Sequence, residues 1–149
     1  MERIAKIIND NNLAAEHLVF AESCHSVEDA AKAAGCEVTD FVKNICYIDG
    51  NDNLVVAIVK GEDRVSKDKI RSIIGLKIRS AKPDEILQKS GFVCGGVPSF
   101  GFDATFLIDE RVMEKKFVIT GGGSENSLLK ISPKDIIRLN NAKIVNIRE

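Results

Sequence analysis

The stretch Phe41-Val42-Lys43-Asn44-Ile45-Cys46-Tyr47-Ile48, followed by Asp49-Gly50-Asn51-Asp52-Asn53 and then Leu54-Val55-Val56-Ala57-Ile58-Val59, decides the fold. Two β-branched, apolar runs flank five turn-forming residues, which predicts a β-hairpin over Phe41–Ile48 and Leu54–Val59. In the first run, alternation puts Lys43 on the face of Phe41, Ile45 and Tyr47. A lysine among apolar neighbours must snorkel to solvent, meet an anion or lower its pKa. Protection of a strand edge explains it equally well from the spacing alone.

Helical and strand signals alternate on either side of this hairpin. Ile4, Ile7 and Ile8 sit at helical spacing, and Asn11-Asn12 can end that helix. Leu18-Val19-Phe20 reads as a short strand. Ser26, with Asp29 three residues on, predicts a helix over Val27–Ala34 closed by Gly35. Ser66 caps a helix to about Ile74, stopped by Gly75, and Pro83 starts one over Asp84–Lys89 that ends at Gly91. Phe92-Val93-Cys94, Ala104–Ile108, Phe117–Thr120 and Leu128–Ile131 read as strands. Ser132-Pro133 opens a last helix, before a strand at Lys143–Ile147. With no repeat or linker, 149 residues form a single mixed α/β domain, 1–149, with a real core.

Composition narrows the function classes. No apolar run nears the roughly 20 residues of a membrane span, and Met1-Glu2-Arg3-Ile4-Ala5-Lys6 lacks a signal peptide's apolar stretch, so the expectation is a cytoplasmic protein with no membrane partner. Cys24, Cys36, Cys46 and Cys94 form no CxxC pair, and His17 and His25 are the only histidines. The expectation is therefore no metal site, no cofactor and mostly small buried thiols. Eight basic residues between Lys60 and Lys82 could meet a phosphate backbone, but a solvated helix face is the plainer reading.

Two glycine loops stand out. Gly95-Gly96-Val97-Pro98-Ser99-Phe100-Gly101 lets backbone N–H groups approach a ligand, with Pro98 stiffening it, and such a loop can serve an oxyanion or a phosphate. It lacks the Gly-Lys-Ser/Thr of a Walker loop and is not GxGxxG. Gly121-Gly122-Gly123 follows an apolar run and reads first as a turn. Cys24 and His25 are sequence neighbours whose side chains diverge, and Cys94 has no obvious base. GxSxG and HExxH are absent. An enzyme built this way would position a water and stabilise charge, which suits a reactive ester.

Four segments together resemble the YbaK/ProX family of aminoacyl-tRNA editing deacylases, which includes the editing domain of bacterial prolyl-tRNA synthetases. They are Phe20 through Ala31, Phe41-Val42-Lys43-Asn44, Ser90 through Gly101, and Thr120-Gly121-Gly122-Gly123 through Ile136. The resemblance implies an α+β fold with a mixed, barrel-like sheet flanked by helices. It also implies hydrolysis of the ester joining a mischarged amino acid to the 3′ adenosine of tRNA, with the enzyme acting in trans. The substrate would be a tRNA(Pro) carrying a small residue such as alanine or cysteine, and prolyl-tRNA synthetase a further partner. By the same resemblance Lys43 would hold the terminal phosphate or ribose and orient the ester, while backbone groups of Gly95, Gly96 and Val97 position the carbonyl and the water. His25 and Ser26 would border the amino-acid pocket, with Pro98, Ser99, Gly101, Gly121 and Gly122 completing the substrate site. A non-catalytic module binding an aminoacyl group or nucleotide is the alternative, and a hydrolase using Cys24 or Cys94 ranks behind it.

Overall fold

A computed structural model describes residues 2–20, 31–32 and 35–149 of the chain. Its first elements are α1 (Glu2–Asp10), β1 (Glu16–Val19), β2 (Val42–Asp49) and β3 (Leu54–Lys60). Next come α2 (Lys67–Ile74), β4 (Ile78–Ser80), α3 (Pro83–Ser90) and β5 (Thr105–Asp109). The last are β6 (Val118–Gly121), β7 (Ser127–Ile131), α4 (Pro133–Asn140) and β8 (Lys143–Val145). The expected helix over Val27–Ala34 lies outside the described residues except for Ala31 and Lys32, which are helical.

The central hairpin forms as its alternation predicts. Lys43 pairs with Val59 and Asn44 with Ile58. Asp49 shapes the turn, its Oδ1 accepting the N–H groups of Asn51 at 2.8 Å and Asn53 at 3.0 Å. Around the hairpin runs a five-stranded mixed sheet ordered β4-β2-β3-β5-β8, in which β3–β5 and β5–β8 are parallel. A second, antiparallel sheet is ordered β1-β7-β6. The two meet at a single parallel bridge between Phe41 and Ile119. The α+β class and mixed sheet are those expected; the strands make two joined sheets rather than one closed barrel.

Both faces of the large sheet are covered, which is why β3 needs no polar position. On one face Cys46, Ile48, Val56, Ile58 and Ile108 pack with Ile4 of α1, Ile86 of α3 and Ile136 of α4. On the other, Tyr47, Val55, Ala57, Val59 and Leu107 pack with Ile70 of α2 and with Ile147. The helix boundaries follow their local chemistry. Ser66 Oγ accepts from the Lys69 N–H, Ser132 Oγ from the Asp135 N–H, and Gly75 and Gly91 take left-handed conformations at the ends of α2 and α3.

Two local expectations change and one strand is added. Phe92-Val93-Cys94 is not a strand: Phe92 buries its ring edge-on to Phe102, 6.0 Å between centroids, while Val93 and Cys94 are exposed. The Gly96 N–H then turns back onto the Val93 carbonyl at 3.0 Å. β4 has no clear signal of its own and exists by pairing Ile78–Ser80 with Tyr47–Asp49. The last strand stops at Val145, and Ile147 instead enters the core beneath α2.

Candidate active site

The shortness of β4 opens the cleft. It pairs with Tyr47–Asp49, so among the described residues the earlier part of β2 has β3 as its only strand partner within that sheet. The glycine loop 95–101 and the end of β6 close in beside that open edge. The resulting cleft has a volume of about 310 Å³, and its wall includes Lys43, Asn44, Gly95, Val97, Thr120 and Gly121. Apolar side chains of Val42, Ile86, Ile119 and Leu128 line the rest, with the thiols Cys46 and Cys94.

Backbone contact without intervening side chains holds the loop against β6. A Cβ on Gly121 would stand 2.2 Å from the Val97 carbonyl oxygen, and one on Gly96 would stand 2.7 Å from the backbone of Ser124. The Gly123 N–H donates to the Gly96 carbonyl at 2.9 Å. Only glycine admits so close an approach. The second glycine run is therefore a seat for the first, beyond the simple turn that its composition suggests.

Asn44 is the hub of the polar contacts here. Its Nδ2 donates to the Val97 carbonyl at 3.0 Å and to Thr120 Oγ1 at 2.9 Å, and its Oδ1 accepts from Ser99 Oγ at 2.8 Å. Ser99 and Thr120 are in turn 2.8 Å apart. The Ser99 carbonyl accepts from Asn140 Nδ2 at 2.8 Å, which ties the loop to the end of α4. Lys43 faces the other way. Its ammonium donates to the Asp63 carbonyl at 2.6 Å, and the Arg111 guanidinium holds the Asp63 carboxylate at 2.6 Å. The two adjacent residues thus serve different neighbours.

Among the described residues, the N–H groups of Gly95 and Val97 donate to no acceptor, whereas that of Gly96 is engaged at Val93. Two unengaged backbone donors at a cleft wall can stabilise developing negative charge on an oxygen. Gly95, which lines the cleft, has φ 96°, a conformation that disfavours a side chain. Pro98 and Ser99 are buried behind the wall. Gly101 lies away from the cleft, against Ile4 and Ile7, its carbonyl accepting from Arg3 at 2.6 Å. Gly122 is buried beside Ser127, and its carbonyl meets His17 Nε2 at 2.9 Å. His25, Ser26 and Cys24 lie outside the described residues.

Burial, reinforced by the nearby Cys94, pushes the Cys46 thiol up to about 11, so it is no nucleophile at neutral pH. Cys94 is exposed at the cleft, and the one described histidine, His17, is occupied at Gly122. Among the described residues no group of three or more His, Cys, Asp or Glu side chains could hold a metal. Four of the eight basic residues from Lys60 to Lys82 are engaged within the protein. Lys60 pairs with Glu62, Arg71 with Asp68, Arg79 with Glu85, and Lys69 with the Arg148 carbonyl. Arg64, Lys77 and Lys82 are exposed and form no ion pair among the described residues. No described helix is long and apolar enough to cross a membrane.

Sequence reasoning found Lys43 and the loop but passed over Asn44 and Thr120. Asn44 carried a signal: it is the polar residue on the face of Val42, Cys46 and Ile48. Thr120 carried none, since a threonine in a strand is ordinary.

Residues 21–139 match the family described as the aminoacyl-tRNA editing domain, and the chain belongs to that family. It is 27% identical over 127 residues to the uncharacterized protein YwhH of Bacillus subtilis, covering 84% of this chain and 81% of that one. It is 29% identical over 91 residues to the proline–tRNA ligase of an Anaeromyxobacter species, a match spanning 60% of this chain and 16% of the ligase. A crystal structure described as a candidate trans-editing enzyme for prolyl-tRNA synthetase superposes with a TM-score of 0.90 at 24% identity, over 99% of this chain and 96% of that one.

Proposed function

We propose that this protein is a trans-acting deacylase that hydrolyses the ester between a small amino acid and the 3′-terminal adenosine of a mischarged tRNA. The observation that carries the reading is one small, mainly apolar cleft that Lys43, Gly95 and Val97 all line, with the Gly95 and Val97 N–H groups unengaged among the described residues. Water attacks the ester carbonyl, and the tetrahedral oxyanion is met by the two N–H groups. The carbon–oxygen ester bond then breaks, the adenosine hydroxyl leaves with a proton, and free amino acid and tRNA are released. Lys43 orients the ribose or terminal phosphate. No side chain is needed as a nucleophile, which accords with the protonated Cys46.

The cleft volume of about 310 Å³ and its walls of Val42, Ile86, Ile119 and Leu128 suit a small side chain such as alanine or cysteine. The similarity to proline–tRNA ligases makes tRNA(Pro) the first acceptor to test, with the cytoplasm as the place of action. The experiment is a panel of alanyl-, cysteinyl- and seryl-tRNAs on non-cognate acceptors. At least one is deacylated faster than in buffer, and Lys43→Ala slows it. No turnover anywhere in the panel, together with saturable binding of an aminoacyl-adenosine analogue, would establish a binding module instead.

A further inference from the structure

The contacts among Asn44, Ser99 and Thr120 have a fixed direction. The Val97 carbonyl can only accept, so the Asn44 atom 3.0 Å from it is the amide nitrogen. The second N–H of that nitrogen goes to Thr120 Oγ1 at 2.9 Å. Ser99 Oγ gives its proton to Asn44 Oδ1 at 2.8 Å, the only role an amide oxygen leaves it. The remaining contact, 2.8 Å between the two hydroxyls, must then carry the Thr120 proton to Ser99. Each member donates once and accepts once around a closed ring, an arrangement in which hydrogen bonds reinforce one another. Ser99 is fully buried, and Thr120 is 2% exposed.

The ring has a chemical outcome at the cleft. Asn44 and Thr120 line it, and Ser99 stands behind them. Both Asn44 N–H groups and the Thr120 O–H are already committed, so the hydrogen-bonding capacity left on this wall is lone pairs alone. Such a wall repels an ester carbonyl or an oxyanion and attracts a donor. The strongest donor on an aminoacyl ester is its α-ammonium group, whose charged N–H bonds are about twice as strong as neutral ones.

We infer that Ser99 is a positioning residue that holds Asn44 and Thr120 as acceptors for the α-ammonium of the aminoacyl ester, which leaves the oxyanion to Gly95 and Val97. The inference rests on the deacylase reading above. Without the Ser99 hydroxyl the Thr120 proton loses its acceptor and is free to turn toward the cleft, where it opposes a cation.

The test compares each enzyme on two substrates: the aminoacyl-tRNA hydrolysed best in the panel, and the same ester with its amine acetylated, which carries no charge. For Ser99→Ala, KM for the free-amine ester rises about tenfold with kcat little changed, while kcat/KM for the acetylated ester changes less than about twofold. Thr120→Ser, which keeps the hydroxyl, behaves as the parent protein. Thr120→Val repeats the split between the two substrates and serves if Ser99→Ala does not fold. An equal loss on both substrates would make the ring a purely structural clamp and overturn the inference while leaving the deacylase reading intact. Absence of turnover by the parent protein would instead remove that reading and the inference with it.

Discussion

The Lys43 ammonium donates to the carbonyl of Asp63 at 2.6 Å, so the cation of the cleft is tethered to the turn that follows β3. That turn is itself held from outside. Arg111, from the segment after β5, binds the Asp63 carboxylate at 2.6 Å and approaches Glu62 at 3.7 Å. The other Asp63 oxygen, Oδ2, is buried with no hydrogen-bond partner among the described residues. A buried, half-satisfied carboxyl group of this kind depends on its one guanidinium.

Lys43→Ala is expected to reduce deacylation about a hundredfold, the order found when a preorganised charge-stabilising group is removed. Arg111→Met leaves Lys43 in the chain but frees its tether, and a loss of about fivefold to tenfold follows. The double variant is no slower than Lys43→Ala alone, because both changes act on one unit. Additive losses in single-turnover assays would show that Arg111 acts elsewhere.

Gly121→Ala forces a methyl group into the Val97 carbonyl, 2.2 Å away, with no flexible side chain on either side to give way. The loop and β6 must separate. The expected costs are about 1–3 kcal/mol of stability, as for other overpacked sites, and most of the activity. Denaturant titration and the deacylation assay together check this. A variant with full activity would show that the loop works without its seat.

Asn140→Ala tests the loop from its other end. Asn140 donates to the Ser99 carbonyl and accepts from the Ala142 N–H, each at 2.8 Å, so it couples the end of α4 to the loop. Truncation costs about 1–2 kcal/mol. Hydrogen exchange of the loop amides should quicken selectively, and unchanged protection would count against the coupling.

The Cys46 thiol gives a signature with pH. Its ordinary value is 9.0, and burial, with Cys94 nearby, raises it to about 11 in the folded protein. The folded state therefore binds the proton more tightly than the unfolded chain. Stability from this group is complete below pH 9 and is lost as pH rises toward 11. Cys46→Ala should flatten that part of the stability profile relative to the parent. At neutral pH, alkylating reagents should reach the exposed Cys94 well before Cys46. Cys94→Ala should keep its deacylase activity.

The elements legible in the sequence were those with local causes. The central hairpin followed from alternation and Asx chemistry, and the boundaries of α2, α3 and α4 from Ser66, Gly75, Pro83, Gly91 and Ser132. β4 was illegible because Ile78–Ser80 becomes a strand only by lying beside Tyr47–Asp49. Phe92-Val93-Cys94 looked like a strand because its apolar character is real, but it serves one buried ring rather than a ladder. The division into two sheets depends on β1 finding β7 more than a hundred residues later, and no local pattern encodes that. In the site, Lys43 attracted attention as a charge on an apolar face. Asn44, its neighbour on the opposite face, makes the contacts that shape the loop.

The contacts that build the cleft span long stretches of chain. Asn44 reaches Val97 across 53 positions and Thr120 across 76. A chain leaving the ribosome from its N-terminus presents Lys43 and Asn44 early but lacks Val97 and Thr120, the far wall of the cleft, until the glycine loop and β6 have been made. Closing such wide loops is slow compared with forming the hairpin or the helices. A nascent or partly folded copy therefore has the hairpin without the pocket, and the complete cleft arrives as one of the last events of folding. Recovery of activity after dilution from denaturant should accordingly trail the recovery of strand and helix signals.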